Sequence, residues 1–403
     1  MIPKRLEDIV AADILHVISN SVRENRTVEY KRDLPGTADS DKKEFLGDVS
    51  SFANASGGDV LYGIRAVDGV PVEIAGIANL NEDAELLRLE AIIRGGLDPR
   101  IPGVRLKVIN GLSPGPVLLI RVPKSWAGPH MVSFKDWSRF YSRSSAGKTL
   151  LDTAELRSAF GLSAELPGRV RAWRDDRLAK VLAGETPTPL TKSGTLVLHI
   201  IPLASFNEQR WIPAVSWQGH SNAFQPINES VSNRRINLDG FLTHGGRPYD
   251  GPAGLETCYC QVFSTGRLEA VNADLVHDWN GKKLIPSLDF EMTILIAIAR
   301  YMKALIQLDV QLPFLITMSM LGVRGAALAT QQSARENLPP FDRDNLILPD
   351  VLISEPPTDL PSAIKPIFDA VWNACGVPQS INFGPDGRWN RGVLPDVPME
   401  KTT

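Results

Sequence analysis

Apolar residues recur at helical spacing at Leu6, Ile9, Val10, Ile14, Val17 and Ile18, which predicts a short amphipathic helix ending near Asn20. From Thr27 to Lys31 the pattern turns to alternation, as in a strand, and Pro35-Gly36 stops it. Asp41, with Glu44 three residues later, reads as a capping box, and Phe45, Val49, Phe52 and Ala53 make one apolar stripe until Gly57-Gly58 ends the helix. A buried strand follows from Val60 to Ile64, turned at Asp68-Gly69. A helix is predicted from Asn81 to about Arg94, and strands at Leu106 to Ile109, Val117 to Val122 and around Arg139 to Arg143. Asp152 and Glu155 cap a further helix predicted to end near Phe160.

Beyond that point a Pro, Gly and charge-rich stretch, partly helical around Arg169 to Leu182, reads as a connector. Thr195 to Pro202 is an apolar strand, and Glu256 to Ser264 with Arg267 to Val271 form a hairpin around Thr265-Gly266. Ile285 to Leu308 reads as a long helix, Pro313 to Leu321 as a buried strand, and Ile364 to Ala374 as a last helix with Pro366 in its first turn. The fold class is therefore α+β in both halves. The organisation expected is a module over residues 1–162, a connector over 163–192, a second domain over 193–384 and a loose tail over 385–403.

A length of 403 residues fits two domains better than one core. Hydrophobic content of 43% and charged content of 22% are ordinary for a globular protein. The most apolar stretch, Met292 to Leu308, is interrupted by Arg300 and Lys303, and no apolar segment follows Met1, so a cytosolic location is expected. Cys258, Cys260 and Cys375 are too few for a disulfide framework, and the Cys-x-Cys pair lacks the second half of a zinc site. Residues 1–160 carry 21 Lys and Arg against 21 Asp and Glu, which weakens the case for a strong non-specific DNA binder.

Two residues apart on a strand, Glu29 and Lys31 share one face while Arg32 points to the other. Without any family, the plain reading is a charged edge strand. Glu24 joins the same site only if the chain bends between it and Glu29. Gly147-Lys148-Thr149 matches the end of a phosphate-binding loop, but Ser142 stands where its first glycine belongs, which argues against nucleotide hydrolysis. The six histidines show no zinc spacing, and no Gly-x-Ser-x-Gly occurs. Trp126 and Trp137 are open to two uses, stacking on bases or core packing.

Taken together, Glu24-x4-Glu29-Tyr30-Lys31, the helix start at Asp41, Phe52-Ala53-Asn54-Ala55-Ser56-Gly57-Gly58, Leu61-Tyr62-Gly63-Ile64 and Phe140-Tyr141-Ser142-Arg143 resemble the Schlafen-type, Alba-like nucleic-acid-binding domain over about residues 15–160. The resemblance implies a metal-dependent endoribonuclease acting on structured, tRNA-like RNA. Glu24, Glu29 and a third carboxylate would hold Mg2+ or Mn2+, and Lys31 would stabilise charge on the scissile phosphate. Arg65-Ala66 stand where the family places aspartates, so Asp68 is taken as the third ligand, with Asp59 and Glu73 as substitutes. Arg32, Arg139 and Arg143 would position phosphates. A symmetric homodimer, a role in bacterial antiviral defence and a second domain that senses a ligand or partner are compatible with that family. The other reading is a non-catalytic nucleic-acid-binding transcriptional regulator, which the Arg65-Ala66 departure favours.

Overall fold

Alternation along two strands decides the N-terminal architecture. In the computed structural model Val60 and Tyr62 face one hydrophobic cluster and Leu61 the opposite one, while Leu118, Ile120 and Val122 are separated in the same way from Val117 and Leu119. A sheet apolar on both faces must be covered on both. The structure describes residues 1–403 except 3, 5, 145–146, 207–210, 229–232, 247–253, 311, 331–337, 355 and 391–403. The chain divides into two compact units, Met1–Gly168 and Arg169–Thr403.

In the first unit the elements run α1 (Ala11–Ser19), β1 (Val28–Lys31), α2 (Asp39–Asn54), β2 (Gly58–Tyr62), β3 (Ile64–Val67), β4 (Val70–Ile74) and α3 (Glu82–Gly96). They continue with β5 (Leu97–Asp98), β6 (Arg105–Ile109), β7 (Val117–Val122), β8 (Met131–Phe134), β9 (Trp137–Ser144), β10 (Gly147–Leu150) and α4 (Thr153–Ala183), whose residues from Arg169 on belong to the second unit. One sheet has the order β1-β2-β7-β6, with β1 parallel to β2, and a second has β10-β9-β8-β5. Residues of α2 and α3 fill the cluster on one face of the first sheet, and residues of α1 fill the cluster on the other. Strands β3 and β4 form a separate ribbon turned by Asp68 and Gly69, both at positive φ, as a tight two-residue hairpin requires.

The Phe52–Gly58 segment owes its composition to packing. The Asn54 side chain donates to the carbonyls of His130 (2.9 Å) and Tyr141 (2.8 Å) and accepts from the His130 amide (2.7 Å), tying the end of α2 to β9. Gly57 has φ of 70°, and a Cβ there would stand 2.6 Å from the Lys124 nitrogen, so only glycine fits.

Three local expectations are corrected. The first predicted helix is a 3-10 turn over Leu6–Asp8 followed by α1, and α2 begins at Asp39 behind Ala38 rather than at an Asp41 cap. The Asp152–Glu155 box is present, its two reciprocal bonds both 2.8 Å, but the helix it starts continues to Ala183 instead of ending near Phe160.

The second unit contains β11 (Thr195–Pro202), β12 (Asn233–Ile236), β13 (Gly240–Gly245), β14 (Cys258–Phe263), β15 (Leu268–Asn272), β16 (His277–Trp279), β17 (Lys282–Pro286), α5 (Ser287–Gln307), β18 (Phe314–Leu321), β19 (Ala327–Ala329), β20 (Asn345–Ile347), β21 (Val351–Ile353) and α6 (Leu360–Asn373). Its main sheet runs β12-β13-β14-β15-β11-β18-β20, with β21 also paired to β18. Along β11, Leu196, Leu198 and Ile200 enter the large core shared with α5 and α6, whereas Val197 packs on the other face with Leu178 of α4. Because α6 starts at Leu360, capped by the Asp359 side chain on the Ser362 amide (3.1 Å), Pro366 lies one turn deeper than expected. The expected loose tail from 385 lies, after residue 390, outside the described residues.

A buried charge cluster explains the length of α4. Arg177 makes two bonds to the Glu269 carboxylate (2.9 and 2.7 Å), which also accepts from the Tyr259 hydroxyl (2.8 Å) and meets His199 Nε2 at 3.0 Å. This anchorage, with Leu178 against the sheet, holds helical residues that follow Pro167 and Gly168, where sequence alone reads a break. Burial alone would raise the Glu269 carboxyl, but Arg177 and His199 outweigh it and bring it down to about 2 from 4.5. The unfolded chain therefore binds the extra proton between those values, and stability is lost as pH falls from about 4.5 towards about 2. Glu269→Gln is expected to remove this acid dependence and, by leaving a buried guanidinium without its counter-charge, to cost about 3 kcal/mol in urea unfolding at pH 7.

Candidate nucleic-acid interface

Val28 and Tyr30 of β1 point into the α1-side cluster, which by strand parity turns Glu29 and Lys31 towards α2. There they meet a charge that the family pattern does not mark. Asp48, 3% exposed on α2, lies 3.3 Å from the Lys31 ammonium and 2.6 Å from that of Lys148 on β10. Lys31 also reaches Glu29 at 2.9 Å and Glu44 at 3.3 Å. On the far side Glu29 pairs with Arg143, whose side chain is 4% exposed and whose guanidinium lies 4.4 Å from the Phe52 ring centroid and donates to the Asn25 carbonyl at 3.4 Å. Register explains the pairing of cations: Lys148 is directly opposite Arg143 in the β9–β10 hairpin, so both side chains leave the same face.

The energetics are those of charges withdrawn from water. Burial pushes the Glu29 carboxyl up, but Arg143 and then Lys31 more than cancel it, and Glu29 titrates below the usual carboxylate range. Asp48 goes the other way: deeper burial and the nearby Glu29 charge raise it in spite of Lys148 and Lys31. Burial would lower Lys31, yet Asp48, Glu29 and Glu44 hold its ammonium charged well above its ordinary value. Two carboxylates thus share one site with pKa values pushed apart, a pattern typical of functional sites and also of structural ion networks.

The residues expected to form a metal centre are placed differently. The Glu24 amide donates to the Gly69 carbonyl at 2.7 Å, and its carboxylate accepts from the Tyr30 amide at 2.9 Å, so Glu24 does lie against the Asp68-Gly69 turn. Asp68 is exposed at the tip of that turn. Both Glu29 oxygens, however, are engaged by Lys31 and Arg143. Among the described residues, no group of three or more His, Cys, Asp or Glu is placed to hold a metal ion. As arranged, Glu24, Glu29 and Asp68 do not fit the three-carboxylate site that the resemblance implies. The substitutes are occupied too. Asp59 is fully buried, bonded by Arg121 (2.8 and 2.9 Å) and by the Ile2 amide (2.6 Å), and Glu73 pairs across the ribbon with Arg65 at 2.5 Å.

Of the three arginines expected on phosphates, Arg32 and Arg139 are exposed and Arg143 is the buried partner of Glu29. Arg139 lies 4.8 Å from the centroid of the Trp137 ring, and Lys43 of α2 lies 5.2 Å from it. Asp48 and Lys148 escape sequence reasoning, although a lone acid inside the buried run Phe45–Ala53 was a signal for the first. For the second, the signal was the hairpin register opposite Arg143. Arg143→Met is expected to leave Glu29 with Lys31 alone, raising its carboxyl in a 13C-detected titration. Because a depressed carboxylate stabilises the fold above its unfolded pKa and loses that contribution in acid, the variant should also be about 3 kcal/mol less stable at pH 7 by urea unfolding.

The comparison with known families falls on the first unit. The family model described as Schlafen, AlbA_2 matches residues 24–152. Among solved structures, the chain is similar to the DIP2311 protein from Corynebacterium diphtheriae, at 16% identity over 36% of this chain and only 30% of that one, with a TM-score of 0.26. It is also similar to the N-terminal domain of an ATP-dependent DNA helicase RecG-related protein from Nitrosomonas europaea, at 23% identity over 29% of this chain and 74% of that one, with a TM-score of 0.23. No curated protein matches the chain. No helix among the described residues is long and apolar enough to cross a membrane. The N-terminal part of this chain, over residues 24–152, carries a Schlafen, AlbA_2 domain.

Proposed function

We propose that the N-terminal unit binds nucleic acid through its backbone phosphates and prefers structured RNA. The observation that carries this reading is the Schlafen, AlbA_2 match over residues 24–152. The distribution of cations supports it: Arg139 and Lys43 flank Trp137, Arg32 is exposed after β1, and Lys31 and Lys148 reach the surface in part, 28% and 24% exposed. An aromatic ring beside cations suits a base stacked next to its phosphate, and it tolerates many sequences because every base offers a π-face. Specificity for RNA would then come from shape and from unpaired loops.

A second reading, metal-dependent endonuclease activity on tRNA-like RNA with Mg2+ or Mn2+, is favoured by the placement of Glu24 against the Asp68-Gly69 turn. It requires Glu29 to part from Lys31 and Arg143, which is a large rearrangement of a buried pair.

One experiment separates these readings. Purified protein is mixed with total tRNA and with duplex DNA of similar length, in chelator or in millimolar Mn2+, and both mobility shift and product size are read. Salt-dependent binding to tRNA that persists in chelator, weakened about fivefold by Lys43→Gln combined with Arg139→Gln, is the expected outcome. Manganese-dependent scission abolished by Glu24→Gln and by Asp68→Asn would establish the second reading. Failure to shift either nucleic acid at 50 mM salt, with no scission in manganese, would refute both.

A further inference from the structure

Glu44 is the most exposed member of a largely withdrawn ion network, and it occupies a position suited to a different anion. Lys31, Arg143 and Lys148 bring three positive charges, and Glu29 and Asp48 bring two buried negative ones. Balance is reached only through Glu44, whose side chain is 66% exposed and touches Lys31 at 3.3 Å. An ion pair with so exposed a partner contributes little, so the carboxylate can swing into solvent. Its departure would leave the cluster with an excess positive charge.

Lys148 is built to share that site. Its ammonium donates to Asp48 at 2.6 Å and to the Glu44 carbonyl at 3.2 Å, and lies 5.4 Å from the centroid of the Tyr141 ring, a softer partner than a phosphate oxygen. It lies across α2 at Gly47, where a Cβ would stand 3.1 Å from the Lys148 nitrogen and 3.3 Å from Cε2 of Tyr141. Glycine in a helix interior costs about 1 kcal/mol relative to alanine. Here it admits the lysine to Asp48. The buried aspartate bridges two ammonium groups from different strands, fixing both and supplying less negative charge than the pair carries.

We infer that Lys31 and Lys148, bridged by Asp48, form a seat for a backbone phosphate of the nucleic acid, and that the Glu44 carboxylate occupies it until the ligand displaces it. The Gly147-Lys148-Thr149 sequence is thereby a phosphate contact on a strand rather than the end of a nucleotide-binding loop. A phosphate oxygen offers these ammonium groups the same charge-assisted bond that Glu44 gives, without the tether. This inference rests on the reading that the domain binds nucleic acid, and it makes Glu44 a competitor of the ligand.

The test is the salt dependence of tRNA affinity for the full chain and three variants. Glu44→Gln is expected to tighten binding about threefold to tenfold. Lys148→Gln should weaken it about fivefold or more and flatten the slope of log affinity against log salt by about one, while Lys148→Arg should keep most of the affinity. Glu44 lies outside the core, so its variant decides the matter even if Lys148→Gln folds poorly by circular dichroism. Unchanged affinity in Glu44→Gln, with the wild type binding normally, would overturn the seat and leave the proposed function standing. A wild type that binds no nucleic acid would overturn both.

Discussion

A carboxylate that leaves water needs a cation beside it, and this constraint organises the N-terminal unit. Breaking a buried pair by removing one partner costs about 3–5 kcal/mol, comparable to the whole stability of a small domain. Glu29 and Asp48 meet the requirement jointly: one cation, Lys31, lies between them, and each has a second cation of its own, Arg143 for Glu29 and Lys148 for Asp48. The four elements that contribute, β1, α2, β9 and β10, cannot shift independently without stranding a charge. Asn54 adds a neutral tie between the same helix and strand.

The same constraint limits the chemistry. A divalent ion at Glu29 would compete with two organic cations already in hydrogen-bond contact, and the protein would have to rehouse both. Phosphate binding asks for less, because only the exposed Glu44 must move. Binding therefore follows more directly from this geometry than bond cleavage does.

What could be read from the sequence follows the strength of local patterning. The stripe of α2, the parity of β1 and the apolar strands β7, β11 and β18 are determined by burial, and their side chains announce it. The lone acid in the apolar stripe of α2 marks Asp48 as unusual, but its partners come from β1 and β10, and only the folded register brings Lys148 beside it. The two substitutes for the third ligand were hidden for a related reason: Asp59 and Glu73 are committed to Arg121 and Arg65, partners that only the fold supplies. In the second unit β16 and β17 were hidden by polar residues such as Asp278, Lys282 and Lys283, and pairing of β17 with β19 organises them. The long α4 reads in sequence as a helix ending near Phe160 and a partly helical connector beyond it, because its anchor, Glu269, is 92 residues from Arg177.

Gly47 carries a consequence for how this sequence can drift. Its lack of a side chain is useful where a lysine crosses the helix, since an added methyl would press on the Lys148 nitrogen and on the Tyr141 ring. A side chain at position 47 therefore asks two neighbours to give way at once, and shortening residue 148 would relieve only one of them, because the Tyr141 ring stays.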